Sequence, residues 1–199
     1  MKIARMLFPV RNLGPGNRVA IWMAGCSRNC KGCANPELQD ATGVNDIPVE
    51  ILKSAILQFV KSSNCEVDGF TITGGEPFEQ PEALREIIEM CHEFSRDILV
   101  FTGYKRDKLS SYEDSILSQI SVLIDGQYIE EQNRNHPLKG SDNQVIHIID
   151  ADVCDKYDNY LSAMSGKNYV ECFTVQDGVI VTGIHKPDFR EEYNGRLHR

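Results

Sequence analysis

The chain has little or nothing of several features that define whole classes of protein. Its 199 residues include one tryptophan, and no stretch approaches the roughly 20 apolar residues that a membrane-spanning helix needs. The first ten residues contain no long apolar segment and no small-residue cleavage site, so we expect no signal peptide and no membrane partner. Seven cysteines, an odd number, without a secretory signature argue against a disulfide framework and predict a protein of the reducing cytoplasm.

Acidic residues are absent from one whole segment of an otherwise acidic chain. Residues 1–33 contain no Asp or Glu and carry +6, which leaves −14 for residues 34–199 and −8 for the whole. The net charge argues against nucleic acid as the main partner. The basic segment is either a solvated edge that arose by chance or a field that stabilises thiolates and attracts an acidic electron donor. Its basic residues are Lys2, Arg5, Arg11, Arg18, Arg28 and Lys31.

Three of the seven cysteines, Cys26, Cys30 and Cys33, lie close together with the spacing C-x-x-x-C-x-x-C. This spacing lets three thiolates face one inorganic centre from a single loop, and soft thiolates select iron–sulfur clusters, zinc or Cu(I). Three ligands would leave one iron of a 4Fe–4S cluster open to a substrate or cofactor. A structural zinc site is the alternative, but no second C-x-x-C pair is present, and His185 and His198 lack pair spacing. The spacing favours the open cluster.

Hydrophobic content of 41% is ordinary for a soluble globular protein, and the length is sufficient for one substantial core. Short apolar runs that end in glycine alternate with segments whose apolar residues recur at helical spacing. The alternation predicts an α/β fold with a mostly parallel sheet, either a barrel or an open sheet. The predicted strands are residues 17–24, 67–73, 98–102, 121–124 and 145–149, and the predicted helices are residues 48–62 and 81–94.

The pattern changes after residue 150. We expect residues 1–150 to form the core domain and residues 151–199 to form a C-terminal extension that packs on it. The extension either braces the core or changes the partner. Its predicted elements are a helix over residues 155–164 and a β-hairpin over residues 169–184, which alternate around Asp177-Gly178.

The chemically suggestive motifs lie directly after predicted strands, where ligands of parallel sheets collect. Gly74 and Gly75 would let a ligand approach the backbone, and the carboxylate of Glu76 can pair with an ammonium group. An ordinary glycine turn is the alternative, but a cluster with an open iron needs a chelating ligand such as the amino and carboxylate groups of a methionine moiety. Besides the cysteine loop, the motifs are Thr73-Gly74-Gly75-Glu76-Pro77, Thr102-Gly103-Tyr104 and Asp125-Gly126.

Together these motifs resemble those of the radical S-adenosylmethionine (SAM) enzymes, whose hallmark is C-x-x-x-C-x-x-C followed by a Gly-Gly-Glu-type motif. Within that superfamily the chain looks like the activating enzymes of anaerobic (class III) ribonucleotide reductase, and Gly32 and Asn35 around the third cysteine agree. The resemblance covers about residues 17–150. The further segments that carry it are residues 101–105 (FTGYK), 122–126 (VLIDG) and 138–147 (LKGSDNQVIH).

The resemblance implies a partial (β/α)6-type radical SAM barrel and a mechanism. The three clustered cysteines would bind three irons of a 4Fe–4S cluster, and SAM would chelate the fourth. An electron from a flavodoxin-like donor would split the S–C5′ bond, and the resulting 5′-deoxyadenosyl radical would abstract a hydrogen from a backbone glycine of a large partner, the anaerobic ribonucleoside-triphosphate reductase. The residues expected around SAM are Gly74, Gly75, Glu76, Thr102, Asp125, Ser141 and Asn143, and turn and cap chemistry is the alternative for the last four.

Two other functions remain compatible with the sequence. The first is a radical SAM enzyme that acts directly on a small molecule or peptide. The second is a zinc-stabilised interaction module without catalysis. Trp22, Tyr104 and the isolated cysteines are expected to have packing roles. Iron and sulfide analysis of anaerobically purified protein separates the zinc module from the other two.

Overall fold

The computed structural model describes residues 1–164, 169–175, 178–185 and 189, and a six-stranded sheet lies at its centre. Its strands are β1 (Ile3–Val10), β2 (Arg18–Met23), β3 (Gly69–Gly74), β4 (Ile98–Phe101), β5 (Val122–Asp125) and β6 (Val145–Ile148). They lie side by side in chain order. The four central strands run parallel, whereas β1 and β6 are antiparallel edges. The order of the described strands does not close, so the mixed α/β class and the mostly parallel sheet are confirmed, whereas the barrel is not.

Three helices connect the parallel strands and cover one face of the sheet. They are α1 (Val49–Ser63), α2 (Pro81–Cys91) and α3 (Ser111–Leu117). The predicted helices over residues 48–62 and 81–94 are thus confirmed, whereas α3 and β1 had no sequence prediction. No helix in the described part of the chain is both long and apolar enough to cross a membrane.

The central strands are buried on both faces. Successive side chains of a strand point to opposite sides, so Ile98 and Val100 pack with the three helices while Leu99 packs on the other face. Burial on both faces explains why the central strands are almost continuously apolar, as parallel strands commonly are.

The C-terminal extension covers the second face. It contains α4 (Cys154–Leu161) and an antiparallel hairpin of β7 (Glu171–Val175) and β8 (Gly178–Thr182), which confirms the predicted helix and hairpin. Tyr157 of α4 packs with Leu99, and Phe173 of the hairpin packs on a cluster that contains Trp22. Asp177 of the predicted hairpin and His198 lie outside the described ranges.

Arg18, one of the six basic residues of the N-terminal segment, is completely buried. Its guanidinium donates to Thr71 Oγ1 at 2.8 Å and pairs with Asp97 Oδ1 at 3.1 Å. The hydroxyl of Tyr157 donates to the same carboxylate oxygen at 2.8 Å, so this network ties the extension to the amino-terminal end of β2. A buried charge needs such partners. The hypothesis that Arg18 contributes to an exposed basic field is therefore wrong.

Candidate functional site

The cysteine loop and the Gly-Gly-Glu turn meet at one open cavity. The cavity lies at the carboxyl ends of β2, β3 and β4, and its empty volume, including the solvent-filled mouth, is about 960 Å³. That is large enough for a cofactor-sized ligand. Seven of the predicted site residues line it: Cys26, Cys30, Cys33, Gly74, Gly75, Glu76 and Thr102.

Backbone hydrogen bonds hold the cysteine loop against the segment that follows it. The N–H of Gly25 donates to the carbonyl of Leu38 at 2.8 Å, and the N–H of Cys26 donates to that of Gln39 at 3.0 Å. Gly32, between the second and third cysteines, has a φ of 68°, which glycine adopts without a steric cost. The loop can therefore turn its three thiols towards one space.

The three cysteine side chains are half-buried. Burial, more than any nearby charge, raises the pKa of Cys26 to about 11, so this thiol keeps its proton until a metal displaces it. Within the described ranges, no three His, Cys, Asp or Glu side chains converge as the ligands of one metal ion do. A 4Fe–4S cluster binds each thiolate to a different iron, so it requires thiols that face one cavity and not thiols that meet at one point.

Gly75 allows the two loops to touch. A Cβ atom on Gly75 would lie 2.1 Å from the carbonyl oxygen of Gly25, which no side chain tolerates. Two backbone hydrogen bonds join the loops at this point: Gly75 N–H donates to Met23 O at 2.7 Å, and Glu76 N–H donates to Gly25 O at 2.7 Å. The glycine pair therefore brings the first cysteine and the glutamate to the same cavity.

Glu76 is a buried carboxylate, with 1% of its surface exposed. Its Oε1 accepts hydrogen bonds from the hydroxyl of Thr102 at 2.8 Å and the N–H of Phe78 at 3.1 Å, and its Oε2 accepts from the N–H of Gly103 at 2.7 Å. Burial raises the pKa of Glu76 to about 7, although these hydrogen bonds favour the ionised form. A cation arriving in the cavity would stabilise the carboxylate.

Arg28 brings a positive charge close to the carboxylate of Glu76. Its Nη2 donates to Gln127 Oε1 at 3.2 Å, and its Cζ lies 4.7 Å from the centre of the Tyr104 ring. Its Nε is buried and has no hydrogen-bond partner. The point that a Cβ of Gly103 would occupy lies 3.3 Å from this Nε and 3.3 Å from Oε2 of Glu76. A cationic donor and a carboxylate therefore face the same small gap.

The residues present fit the two cofactors that the resemblance implies. Three thiols on one cavity are the donor set of an iron–sulfur cluster. The neighbouring Glu76 and Arg28 complement the ammonium and carboxylate of an amino acid, which is the methionine part of SAM. The buried, unsatisfied Nε of Arg28 is the kind of group that a bound carboxylate would satisfy.

Three residues predicted to contact SAM are not among those that line the cavity. Asp125 accepts from the N–H of Arg106 at 2.7 Å. Ser141 donates to Asn143 Oδ1 at 2.7 Å, and Asn143 Nδ2 donates to the carbonyl of Gln127 at 2.8 Å. In this structure they fasten the loops behind the lining, and their contact with SAM stays a prediction.

Several residues line the cavity that sequence reasoning did not select. Tyr128 lies just after the Asp125-Gly126 turn, and Gln144 lies inside the 138–147 segment, so their positions in these motifs were usable signals. Asn133 and the extension residues have no local signal, because they reach the cavity through contacts distant in sequence. The unselected lining residues include Arg28, Tyr128, Asn133, Gln144, Gly183, Ile184 and His185.

Comparisons with known proteins identify the family of this chain. The family model described as "4Fe-4S single cluster domain" matches residues 12–147. Three proteins named anaerobic ribonucleoside-triphosphate reductase-activating protein, from Haemophilus influenzae, Vibrio cholerae and Enterobacteria phage T4, are 33%, 30% and 31% identical to this chain. Each match covers 67% of this chain and 89%, 89% and 85% of the respective relative. The chain therefore belongs to the 4Fe–4S single cluster domain family and, within it, to the family of the anaerobic ribonucleoside-triphosphate reductase-activating proteins.

Proposed function

We propose that this chain is a radical SAM activating enzyme that installs a glycyl radical on an anaerobic ribonucleoside-triphosphate reductase. The observation that carries the proposal is the single cavity onto which three cysteines of one loop and the buried Glu76 open. Family membership supports the 4Fe–4S cluster, and the names of the relatives support the reductase as the large partner.

When bound, the cluster and SAM would together supply one-electron reduction and hydrogen abstraction from the partner. This chain's residues bind and orient the cofactors. Cys26, Cys30 and Cys33 would ligate three irons and lose their thiol protons in doing so. Glu76 would accept a hydrogen bond from an N–H of the amino group of SAM, and Arg28 would donate to its carboxylate.

The electron donor and the location of the reaction belong to the same proposal. An acidic, flavodoxin-like protein would deliver the electron at the cavity mouth, where the cysteine side chains are half-buried. A reducing cytoplasm keeps the seven cysteines as thiols, and the described part of the chain contains no disulfide.

The proposal is tested with anaerobically reconstituted protein. We expect about four irons per chain and the conversion of SAM to 5′-deoxyadenosine and methionine by the dithionite-reduced protein. Cys26→Ala, Cys30→Ala and Cys33→Ala should each abolish both properties, whereas Cys65→Ala is the matched control that should retain them. Iron binding that survives the loss of any one of the three would contradict the ligand assignment.

The partner is tested by adding the reductase that the same organism encodes. We expect the glycyl radical signal in electron paramagnetic resonance to appear on the reductase only when SAM, reductant and this chain are all present. A chain that cleaves SAM without producing that signal would instead favour direct action on a small molecule or peptide.

The amino-acid part of SAM is tested with Arg28→Gln. Loss of a charge-assisted hydrogen bond is expected to weaken SAM binding by about 1.5–3 kcal/mol. Binding of 5′-methylthioadenosine, which lacks the amino-acid part, should not change. Equal weakening of both ligands would show that Arg28 supports the cavity without contacting the carboxylate.

A further inference from the structure

The residues that follow the hairpin of the C-terminal extension reach the cofactor cavity. Strand β8 ends at Thr182, and the next three residues, Gly183, Ile184 and His185, all line the cavity together with the cysteine loop. The family model ends at residue 147, so this contribution comes from a part of the chain that the family match does not cover.

Asn12 fixes the extension at the start of these three residues. Its side chain is buried, its Nδ2 donates to the carbonyl of Thr182 at 2.9 Å, and its Oδ1 accepts from the hydroxyl of Thr182 at 3.1 Å. The carboxylate of Glu171 accepts from the backbone N–H groups of Arg11 and Asn12 at 2.7 Å and 3.1 Å. Both strands of the hairpin are therefore bound to the loop after β1.

Asn133 holds the other end of residues 183–185, at His185. Its Nδ2 donates to the carbonyl of His185 at 3.0 Å and to the hydroxyl of Tyr128 at 3.3 Å. Its Oδ1 accepts from the N–H of Asn135 at 2.9 Å. The side-chain amide of Asn133 thus joins the extension to a loop whose Tyr128 lines the same cavity as Cys33.

Salt bridges bind that loop to the cysteine loop. Lys31 Nζ lies 2.9 Å from carboxylate oxygens of both Glu130 and Glu131. Asn133 lies two residues after Glu131. The loop after β5 therefore contacts the extension through Asn133 and the cysteine loop through Glu130 and Glu131.

We infer that residues 183–185 form a wall of the cofactor cavity and that Asn133 is the positioning residue that holds this wall across from the cysteine loop. The wall restricts access to the three thiols in the cofactor-free chain and completes the binding surface in the loaded one. Only the identity of the bound ligand rests on the proposed function.

The wall is tested first in the full-length chain without cofactors. Asn133→Asp keeps the size of the side chain and the acceptor for Asn135, but removes the donor to His185. Alkylation of Cys26, Cys30 and Cys33 by N-ethylmaleimide, measured peptide by peptide with mass spectrometry, should become about two- to tenfold faster, the range that one lost hydrogen bond allows. Asn45→Ala, at an exposed position distant in sequence from the wall, is the matched control and should leave the rates unchanged.

Two other cysteines of the same chain, Cys65 and Cys91, serve as internal controls for the alkylation rates. Cys65 reports any general change in reactivity, and the fully buried Cys91 reports global unfolding. If Cys91 also reacts in Asn133→Asp, His185→Gly replaces it, because this variant removes a lining side chain and leaves Asn133 intact. Unchanged alkylation rates of Cys26, Cys30 and Cys33 in a folded variant would contradict the proposal that residues 183–185 form this wall.

A second measurement uses reconstituted protein. We expect Asn133→Asp and His185→Gly to raise the Kd for SAM, measured by equilibrium dialysis, by about two- to tenfold at unchanged iron content. A wild-type chain that binds no cluster or SAM would refute the proposed function, while the alkylation rates would still decide on the wall. Wild-type SAM binding combined with unchanged alkylation and unchanged Kd in both variants would refute the wall alone.

Discussion

At the scale of single residues, Glu76 makes folding sensitive to pH. Its pKa in the folded chain is about 7, above the ordinary value of 4.5, so the folded state binds the proton more tightly than the unfolded state. The contribution of Glu76 to the free energy of unfolding is constant below about pH 4.5, falls as the pH rises to about 7, and is constant above that.

We therefore expect the cofactor-free wild-type chain to lose up to roughly 3 kcal/mol of unfolding free energy from this group between pH 4.5 and 7. Glu76→Gln should remove that loss, so its unfolding free energy should depend less on pH. Urea unfolding at a series of pH values measures the difference, and Glu86→Gln, an exposed carboxamide variant on α2, is the control. Equal pH slopes for Glu76→Gln and wild type would contradict the raised pKa.

Gly75 is the residue that permits the two loops to touch. We expect Gly75→Ala to push them apart, lowering the unfolding free energy by about 1–3 kcal/mol and reducing the iron retained after reconstitution. Gly43→Ala is a useful control, because a Cβ there meets no atom within 4 Å and only the left-handed backbone (φ 80°) is strained. Normal iron content in a stable Gly75→Ala chain would show that the loops can separate without loss of the cluster.

At the scale of elements, the central strands and the two longer helices between them were predictable because they rest on local patterns. Glycine after each central strand and the helical spacing of residues 81–94 are visible in the sequence, and they placed the cysteine loop and Glu76 at the same edge of the sheet. The short α3 was not predicted, although its start carries a capping box of Ser110 and Glu113.

Helix α4 is attached by a contact that no local pattern reveals. Tyr157 donates to Asp97 across 60 residues, and burial raises the pKa of its hydroxyl. Tyr157→Phe should lower the unfolding free energy by about 1–3 kcal/mol, because Asp97 loses a buried partner, and SAM affinity should stay normal. Tyr112→Phe, at a 41% exposed position on α3, is the control for thermal or urea unfolding. A loss of SAM binding in a folded Tyr157→Phe chain would mean that α4 influences the cavity.

At the scale of the whole molecule, the basic N-terminal segment presents less positive charge at the surface than its residue count implies. Arg18 is buried against Asp97, Lys31 pairs with two glutamates, and Arg5 lies 3.3 Å from the carboxylate of Glu37. These acidic partners lie in later parts of the chain. A count of charges along the sequence therefore overstated the positive field of the N-terminal segment.

This neutralisation changes the expectation for electron delivery. We expect the rate of reduction by an acidic flavodoxin to depend less steeply on ionic strength than six unpaired charges would make it, since Arg5, Arg18 and Lys31 are paired with acids. Stopped-flow reduction at increasing salt measures this. A steep decline with salt would show that the remaining basic side chains, such as Arg11, still steer the donor.

The wall of residues 183–185 has a consequence for biosynthesis. A ribosome makes these residues roughly 150 positions after the cysteine loop, so during most of translation the three thiols lie in a nascent chain whose pocket is incomplete. Cluster insertion that needs a finished pocket must then wait until the hairpin has been made. Nascent chains arrested after Asp150 are expected to present these thiols to alkylating reagents and to metals other than iron, whereas released full-length chains are expected to be more selective.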